Sequence, residues 1–304
     1  MSENRGKFTR EAAQAYLARE PDMQVEKLSN NIWTISDGSC RALFAEADNS
    51  VIAFDTFGTP GRARAYKKAI EQTISGKEIK TVIYSHDHLD HSGFAKDLAP
   101  DAEIIADEIC AKVIKLRQAE GQSQVTKVIS GAKNKMNIDG FEFTLLNPGP
   151  THGSGNCSAW FAQDKILFSS DTILANAKYG FVPDYHLCNF VKFMRGFLDL
   201  DWETFVPGRY GLTDRAGFEK GCDYIEAVQL ESQNAFAEFV PIWAFEPMKG
   251  YVTNKLAARF GDLEGFEDHV GQTSLRIVHH YLMGGWGLED TPEPSVLLAD
   301  EVTL

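Results

Sequence analysis

The segment His86–His91, with the sequence HDHLDH, holds three histidines within six residues. Imidazole nitrogens and carboxylate oxygens are the usual protein ligands of divalent cations such as Zn²⁺. Because alternate residues of an extended segment point in the same direction, His86 and His88 can bind one ion together. Asp90 and His91 follow the point where we expect the chain to turn into a helix, so they can face a second position nearby. The spacing therefore predicts a site for one or two metal ions.

This segment resembles the metal-binding motif of the metallo-β-lactamase-fold superfamily. The resemblance implies an α/β fold, namely an αββα four-layer sandwich of two mixed β-sheets flanked by helices. It also implies that one or two metal ions, usually zinc, activate water for hydrolysis, and that further ligands follow in a set order along the chain.

Two later segments match that order. His152 lies 61 residues after His91, in the stretch PGPTHGSGN over residues 148–156, which resembles the P-G-P-x-H-x-x-x-N stretch of metallo-β-lactamases. The resemblance implies that His152 is a ligand and that Asn156 helps to polarise a substrate carbonyl. Asp171, 19 residues after His152, stands where hydrolases of the superfamily have a bridging aspartate. β-Lactamases with this stretch usually have cysteine there, so Asp171 shifts our expectation from antibiotics to esters, lactones, thioesters, or phospho- and sulfo-esters.

The last ligand that the resemblance leads us to expect is a histidine in a V-P-G-H-G turn, but the sequence has VPGRYG over residues 206–211. Arg209 takes the place of the histidine, and a guanidinium cannot bind a cation because it stays protonated. Three interpretations are open. In the first, one ion binds through the first two histidines of the motif and His152, while Arg209 replaces the second ion and pairs with Asp171 or binds an anionic substrate. In the second, a further histidine completes the site, and the candidates are His186, His269, His279 and His280. In the third, the site is degenerate.

Asp55 ends the strand expected over residues 51–54 and is followed by Thr56. This stretch resembles the hydrophobic-D-T/S-G segment of the superfamily, in which the aspartate supports the ligand loop without binding the metal itself. Asp55 would then fix the orientation of the metal-binding imidazoles through hydrogen bonds. The competing interpretation is that Asp55 or Thr59 caps the next helix.

The elements expected around these residues are short strands and helices. A strand over residues 80–84 leads into the ligand segment, and a helix over residues 92–98 follows it. Two blocks of strands, each interrupted by helices, extend to about residue 212, and beyond it only helices are expected. We therefore predict a catalytic domain over residues 1–212 and a C-terminal helical extension over residues 213–304, which would act as a lid or a dimerisation element.

Composition excludes several classes of protein. The chain has 304 residues, and 30 basic against 43 acidic residues give it a formal charge of −13. Such a surface repels nucleic-acid backbones and anionic lipid, so neither nucleic acid nor a membrane is an expected partner. The five cysteines form no C-x-x-C pair, so no disulfide framework and no cysteine-based zinc finger is expected. With no secretory signal and no run of about 18 apolar residues, we expect a cytoplasmic protein.

These observations predict a metal-dependent hydrolase in which zinc activates a water molecule. Asp90 would orient that water or carry its proton, and the metal with Asn156 or Arg209 would stabilise the developing oxyanion. The expected substrate is a small, partly apolar ester, lactone, thioester or related molecule, and the protein could act as a homodimer. Zinc is the expected cofactor, as one or two ions, with iron and manganese as alternatives. Two other functions stay open: a mononuclear iron dioxygenase of the same superfamily, and a non-catalytic ligand-binding protein on a decayed fold.

Overall fold

The computed structural model describes residues 9–153, 155–180, 182, 184–187, 190–240 and 245–280. Its contacts divide the chain into two compact units. Unit 1 comprises residues 1–129 and 137–141, and unit 2 comprises residues 130–136 and 142–304. This division follows contacts and not function, so the assignment of residues 1–212 to catalysis and 213–304 to an extension stays a prediction.

The sheet of unit 1 has seven strands that lie side by side in chain order. They are β1 (Gln24–Lys27), β2 (Ile32–Ser36), β3 (Arg41–Glu46), β4 (Ser50–Phe54), β5 (Glu78–Ile83), β6 (Glu103–Asp107) and β7 (Lys127–Ile129). Neighbours from β1 to β4 are antiparallel, and those from β4 to β7 are parallel. β2 and β4 are buried along their whole length, as expected of strands that are covered on both faces.

The helices of unit 1 are α1 (Arg10–Ala18), α2 (Pro60–Thr73), α3 (Leu89–Ser92), α4 (Ala95–Leu98) and α5 (Glu108–Arg117). α2 begins close to where the sequence predicts it. The side chain of Thr59 accepts the N–H of Arg62 at 3.2 Å, and Pro60 occupies the first turn. Thr59 is therefore the helix cap, and Asp55 is left for another role.

The prediction of one helix over residues 92–98 is wrong. The structure has α3 and α4 instead, with Gly93 and Phe94 between them, and Phe94 adopts a left-handed backbone with φ of 59°. The hydroxyl of Thr56 donates to the carbonyl oxygen of Gly93, which lies 37 positions later. A helix cannot run on through a left-handed residue, and this bond between distant parts of the chain gives the carbonyl a partner outside any helix.

The second sheet has five strands in the order β12-β11-β10-β9-β8. They are β8 (Lys133–Ile138), β9 (Phe141–Leu146), β10 (Ser158–Phe161), β11 (Ile166–Ser169) and β12 (Thr204–Pro207). β9, β10 and β11 pair antiparallel, and β12 lies parallel to β11. The sequence patterns did not predict β8, because its residues KNKMNI are polar and none of them is buried. Lysines of this kind are typical of an edge strand.

The C-terminal helices predicted from the sequence are present and belong to unit 2. The helices of this unit are α6 (Phe190–Arg195), α7 (Arg215–Ala237), α8 (Phe245–Phe260) and α9 (Phe266–His280). They share one hydrophobic core with the second sheet. In that core Phe218 of α7 packs edge-on against Trp202 and Phe205, with ring centroids 5.3 and 4.8 Å away. Within the described ranges, no helix is long and apolar enough to cross a bilayer.

Candidate metal centre

The predicted ligand segment of unit 1 follows the end of β5 and continues into α3. The rings of His86 and His88 lie 4.6 Å apart between centroids, and those of His86 and His91 lie 4.8 Å apart. His86 and His91 are buried, whereas the side chain of Asp90 is 40% exposed. Imidazoles are seldom buried against one another for packing alone, because each ring carries two nitrogens that need partners.

Asp55 orients two of these imidazoles through its buried carboxylate. It accepts the backbone N–H of Ser85 at 2.8 Å, the hydroxyl of Ser85 at 2.8 Å and Nδ1 of His91 at 3.1 Å. Ser85 Oγ also lies 2.8 Å from Nδ1 of His86. Since the single hydroxyl proton of Ser85 goes to Asp55, the oxygen of Ser85 accepts Nδ1–H from His86.

This hydrogen bonding assigns the tautomer of both rings. His86 and His91 each carry the proton on Nδ1, so each has a lone pair on Nε2. A lone pair on Nε2 is what a metal ion requires, and a hydrogen bond from the other nitrogen is the usual support of such a ligand. The resemblance implies this arrangement for Asp55, and the donor set of unit 1 fits a divalent cation.

The other aspartate of the motif, Asp87, has a structural part. Arg117 forms an ion pair with its carboxylate and donates to its carbonyl oxygen at 2.7 Å. The side-chain amide of Gln122 donates to the same carbonyl at 2.7 Å and to the hydroxyl of Ser92 at 2.6 Å. These contacts hold the ligand loop in one conformation. Sequence reasoning missed Arg117 and Gln122, since they lie 30 and 35 positions from Asp87 and no local pattern marks them.

Sequence reasoning also missed Cys40. One potential ligand atom each from Cys40, Asp90 and His91 lie within 4.8 Å of one another, all inside unit 1. Cys40 is buried and forms no disulfide. Its position between β2 and β3 is far from the histidine motif in sequence, and it has no cysteine partner at metal-binding spacing.

In unit 2, His152 lies beside two carboxylates. Its Nε2 is 3.5 Å from Oδ2 of Asp171 and 3.6 Å from Oδ2 of Asp184. Both distances exceed those of ordinary N–H···O hydrogen bonds. They are close to the spacing of roughly 3.4 Å between two ligands of a tetrahedral ion with bonds of about 2.1 Å. Asp184 was not among the predicted residues, and the acidic position beside Tyr185-His186 was the only signal for it.

Arg209 forms an ion pair with Asp171. Its Nε and Nη2 both lie 2.8 Å from Oδ2 of Asp171, which is buried. Gly208 makes this approach feasible, because a Cβ at position 208 would lie 2.5 Å from Oδ1 of Asp171. Of the roles that the sequence leaves open for Arg209, the structure shows the pairing with Asp171. A buried carboxylate that already has a guanidinium on one oxygen is a weaker candidate for bridging two ions.

Tyr185 holds this part of unit 2 together. Its hydroxyl donates to the carbonyl oxygen of Asp171 at 2.7 Å, and its ring packs edge-on against that of His152 at 4.8 Å. Burial raises the pKa of the Tyr185 phenol well above its ordinary value, so the hydroxyl stays a donor at neutral pH. Asn156 is buried, and its Oδ1 accepts no hydrogen bond within the described residues. Its role as an oxyanion donor stays a prediction.

Within the described residues, the histidines that could have replaced the missing ligand do not cluster with other potential metal ligands. Burial lowers the pKa of His186, whose backbone N–H donates to the carbonyl of Thr151 at 2.9 Å. Among the residues that the structure describes, four histidines join no group of three potential ligands: His186, His269, His279 and His280.

Comparison with known proteins shows the family. A protein-family model described as "Metallo-beta-lactamase superfamily" matches residues 35–106 of the sequence, a range that contains Asp55 and the histidine motif. A metallo-β-lactamase from Hirschia baltica superposes with a TM-score of 0.59 at 20% identity, over 68% of this chain and 98% of that protein. The chain belongs to the metallo-β-lactamase superfamily. The fold predicted from the sequence is thereby confirmed.

Two curated proteins are more similar to this chain in sequence, and both come from Nocardioides sp. (strain JS1661). One is 2,4-dinitroanisole O-demethylase subunit alpha, 38% identical over 273 residues, which cover 89% of this chain and 83% of the relative. The other is 2,4-dinitroanisole O-demethylase subunit beta, 31% identical over 285 residues, which cover 93% of this chain and 89% of the relative.

Replacing Asp55 with asparagine should weaken metal binding by about 10- to 100-fold, because the imidazoles lose the carboxylate that fixes their orientation. Titration with zinc against a chromophoric chelator measures the affinity. Asp139→Asn is the matched control, since Asp139 also accepts three hydrogen bonds, from Asn49 and Ser50, and is not part of the histidine cluster. Equal affinity in wild type and Asp55→Asn would show that Asp55 does not support the site.

Replacing Arg209 with glutamine should lower the free energy of unfolding of the metal-free protein by about 2 kcal/mol, because the buried Asp171 carboxylate loses its cation. Urea unfolding followed by circular dichroism measures the change. In the control Arg195→Gln, the lost pairs with Asp223 and Glu226 are partly exposed and should cost under about 1 kcal/mol. The same small loss in both variants would contradict a structural role for Arg209.

Proposed function

We propose that this chain is a metal-dependent hydrolase that uses a metal-activated water molecule to cleave a small, partly apolar ester, lactone, thioester or related substrate. The observation that carries the proposal is the hydrogen bonding of Asp55, which leaves His86 and His91 with lone pairs on Nε2. Membership of the superfamily supports the same chemistry. The proposed ligands of the first ion are His86, His88 and His152, a set that rests on the order of the motifs in the sequence.

When bound, a zinc ion would lower the pKa of a water molecule to about 7 and so supply hydroxide at neutral pH. Asp90 lies in the first turn of α3 with its side chain 40% exposed, so it can accept the proton of the attacking water and pass it to the leaving group. His88, also partly exposed, would bind the ion on the accessible side. Asn156 and the guanidinium of Arg209 are the proposed donors to negative charge that develops on the substrate.

The names of the two relatives indicate the first substrate class to test. 2,4-Dinitroanisole is an aryl methyl ether whose nitro groups withdraw electrons from the ring carbon that bears the methoxy group. Water can attack such a carbon as it attacks the carbonyl of an ester, and the negative charge moves to the nitro oxygens. The C–O bond to methoxide then breaks, and water supplies the proton that converts methoxide to methanol. The products are one phenol and one methanol per water consumed, and no oxidant is needed.

An iron-dependent oxygenase is the second candidate, and the word O-demethylase in the relatives' names is the observation that favours it. An oxygenase would hydroxylate the methyl group at the expense of O₂ and two electrons from a donor. The resulting hemiacetal breaks down to the phenol and formaldehyde. The two candidates therefore differ in the one-carbon product and in the need for O₂.

Incubation of the zinc-loaded protein with 2,4-dinitroanisole should release equal amounts of phenol and methanol, with and without oxygen. Gas chromatography measures methanol, and an oxygen electrode follows O₂. In ¹⁸O-labelled water the label should appear in the phenol, because water attacks the ring carbon. His88→Ala should lose turnover and the ion of the first site while keeping the wild-type circular dichroism spectrum.

Formaldehyde with O₂ uptake in the iron-loaded protein would instead establish the oxygenase. If the metal-loaded protein turned over neither this ether nor a panel of esters, lactones and thioesters, the hydrolase proposal would be wrong.

We also propose that this chain assembles with a second chain of the same family. The two relatives are named as alpha and beta subunits of one enzyme, and both align with most of this chain. A homodimer is the simplest assembly of this kind. Light scattering should then give twice the chain mass of 33.8 kDa, and a monomer mass at micromolar concentration would contradict the homodimer.

A further inference from the structure

We infer that Cys40, Asp90 and His91 form a second cation site, in which the thiolate of Cys40 does the work of the histidine that is missing from the sequence at position 209. The potential ligand atoms of the three residues lie within 4.8 Å of one another. All three belong to unit 1. The inference rests on the proposed function only in taking this chain to bind metal.

The backbone around Cys40 is fixed by the turn between β2 and β3. Asp37 accepts the N–H of Ser39 at 3.0 Å and that of Cys40 at 2.9 Å. The hydroxyl of Ser36 donates to the carbonyl of Cys40 at 2.9 Å. The other carboxylate oxygen of Asp37 pairs with Arg62 of α2 at 3.0 Å. Cys40 is therefore held in place by neighbouring residues, as a metal ligand on a rigid element should be.

Asp90 and His91 each have a potential ligand atom close to that of Cys40. Nδ1 of His91 is hydrogen-bonded to Asp55, so Nε2 is the nitrogen that faces a cation. That Nε2 lies 3.7 Å from Oδ2 of Asp90, too far for a good hydrogen bond and near the separation of two ligands on one ion.

Gly58 lets the chain pack closely against Asp90 and so helps to fix the position of this residue. A Cβ at position 58 would lie 2.7 Å from the Cα of Asp90, so a larger residue would push Asp90 away. Because the side chain of Asp90 is 40% exposed, the site has an open side for water or substrate.

The chemistry of the donors selects the ion. A thiolate and a carboxylate together balance the charge of a divalent cation, and the imidazole is neutral. Thiolate ligands favour zinc, cobalt or iron over manganese, magnesium and calcium. Of the cofactors expected from the sequence, manganese is thus the poorest match for this second site. Binding also requires the thiol of Cys40 to lose its proton, so metal uptake at this position releases a proton.

The test is titration of the metal-free protein with Co²⁺, followed by near-ultraviolet absorption. Wild type should bind two ions per chain, and one of them should produce a thiolate-to-cobalt charge-transfer band. Cys40→Ser should lose this band and bind one ion fewer. Cys110→Ala and Cys222→Ala are matched controls, because both cysteines are buried and neither belongs to the ligand group, so both variants should keep the band.

A second measurement covers the case in which Cys40→Ser fails to fold. In unfolded protein every cysteine is alkylated alike, but in native wild type zinc should slow the alkylation of Cys40 by at least about tenfold, because a metal-bound thiolate is a poor nucleophile. Peptide mass spectrometry assigns the modified position.

Bound cobalt without a charge-transfer band, or a band that survives in Cys40→Ser, would overturn the inference. Unchanged alkylation of Cys40 with zinc would also overturn it. These results are separable from the failure of the proposed function. Hydrolysis by a protein without the band would leave the function standing and remove Cys40 as a ligand. A band in a protein that hydrolyses no substrate would do the reverse.

Discussion

The buried carboxylate of Asp55 connects the carboxyl ends of two parallel strands, β4 and β5, and the histidine loop depends on this connection. Its oxygens accept the N–H and hydroxyl of Ser85 and Nδ1 of His91. A buried carboxylate is costly unless its oxygens are hydrogen-bonded, so the loop can adopt few conformations that satisfy it. The conformation that does so also presents Nε2 of His86 and of His91 as lone-pair donors. Stability of the loop and competence to bind metal therefore have the same cause.

Unit 2 satisfies its own buried carboxylate in a different way. Asp171 has a left-handed backbone, with φ of 53°, and its charge is balanced by the guanidinium of Arg209 at 2.8 Å. Members of the superfamily with a histidine in this turn can give that ligand to a metal. In this chain the turn supplies a fixed positive charge instead, which neither dissociates nor depends on metal supply. Arg209 thus replaces the histidine of the family pattern with a permanent positive charge. The absence of a side chain at Gly208 leaves room for the Asp171 carboxylate beside it.

The groups that we assign to the proposed function would serve different leaving groups. Activated water, a proton acceptor and a positive charge near the developing anion are what attack on an ester carbonyl requires, and attack on an electron-poor aryl ether requires them too.

The sequence by itself determined the superfamily, the two mixed sheets, the C-terminal helices and most of the candidate ligands. It could do so because strands, helix caps such as Thr59 and closely spaced candidate ligands such as His86 and His88 are set by neighbouring residues. Only the tertiary structure decided that Arg209 pairs with Asp171 and that Cys40 approaches Asp90. It also decided the break between α3 and α4, where Thr56 binds the carbonyl of Gly93. Each of these contacts joins residues some 30 to 50 positions apart. Their meeting depends on strand pairing and buried hydrogen bonds, which leave no periodic pattern in the sequence.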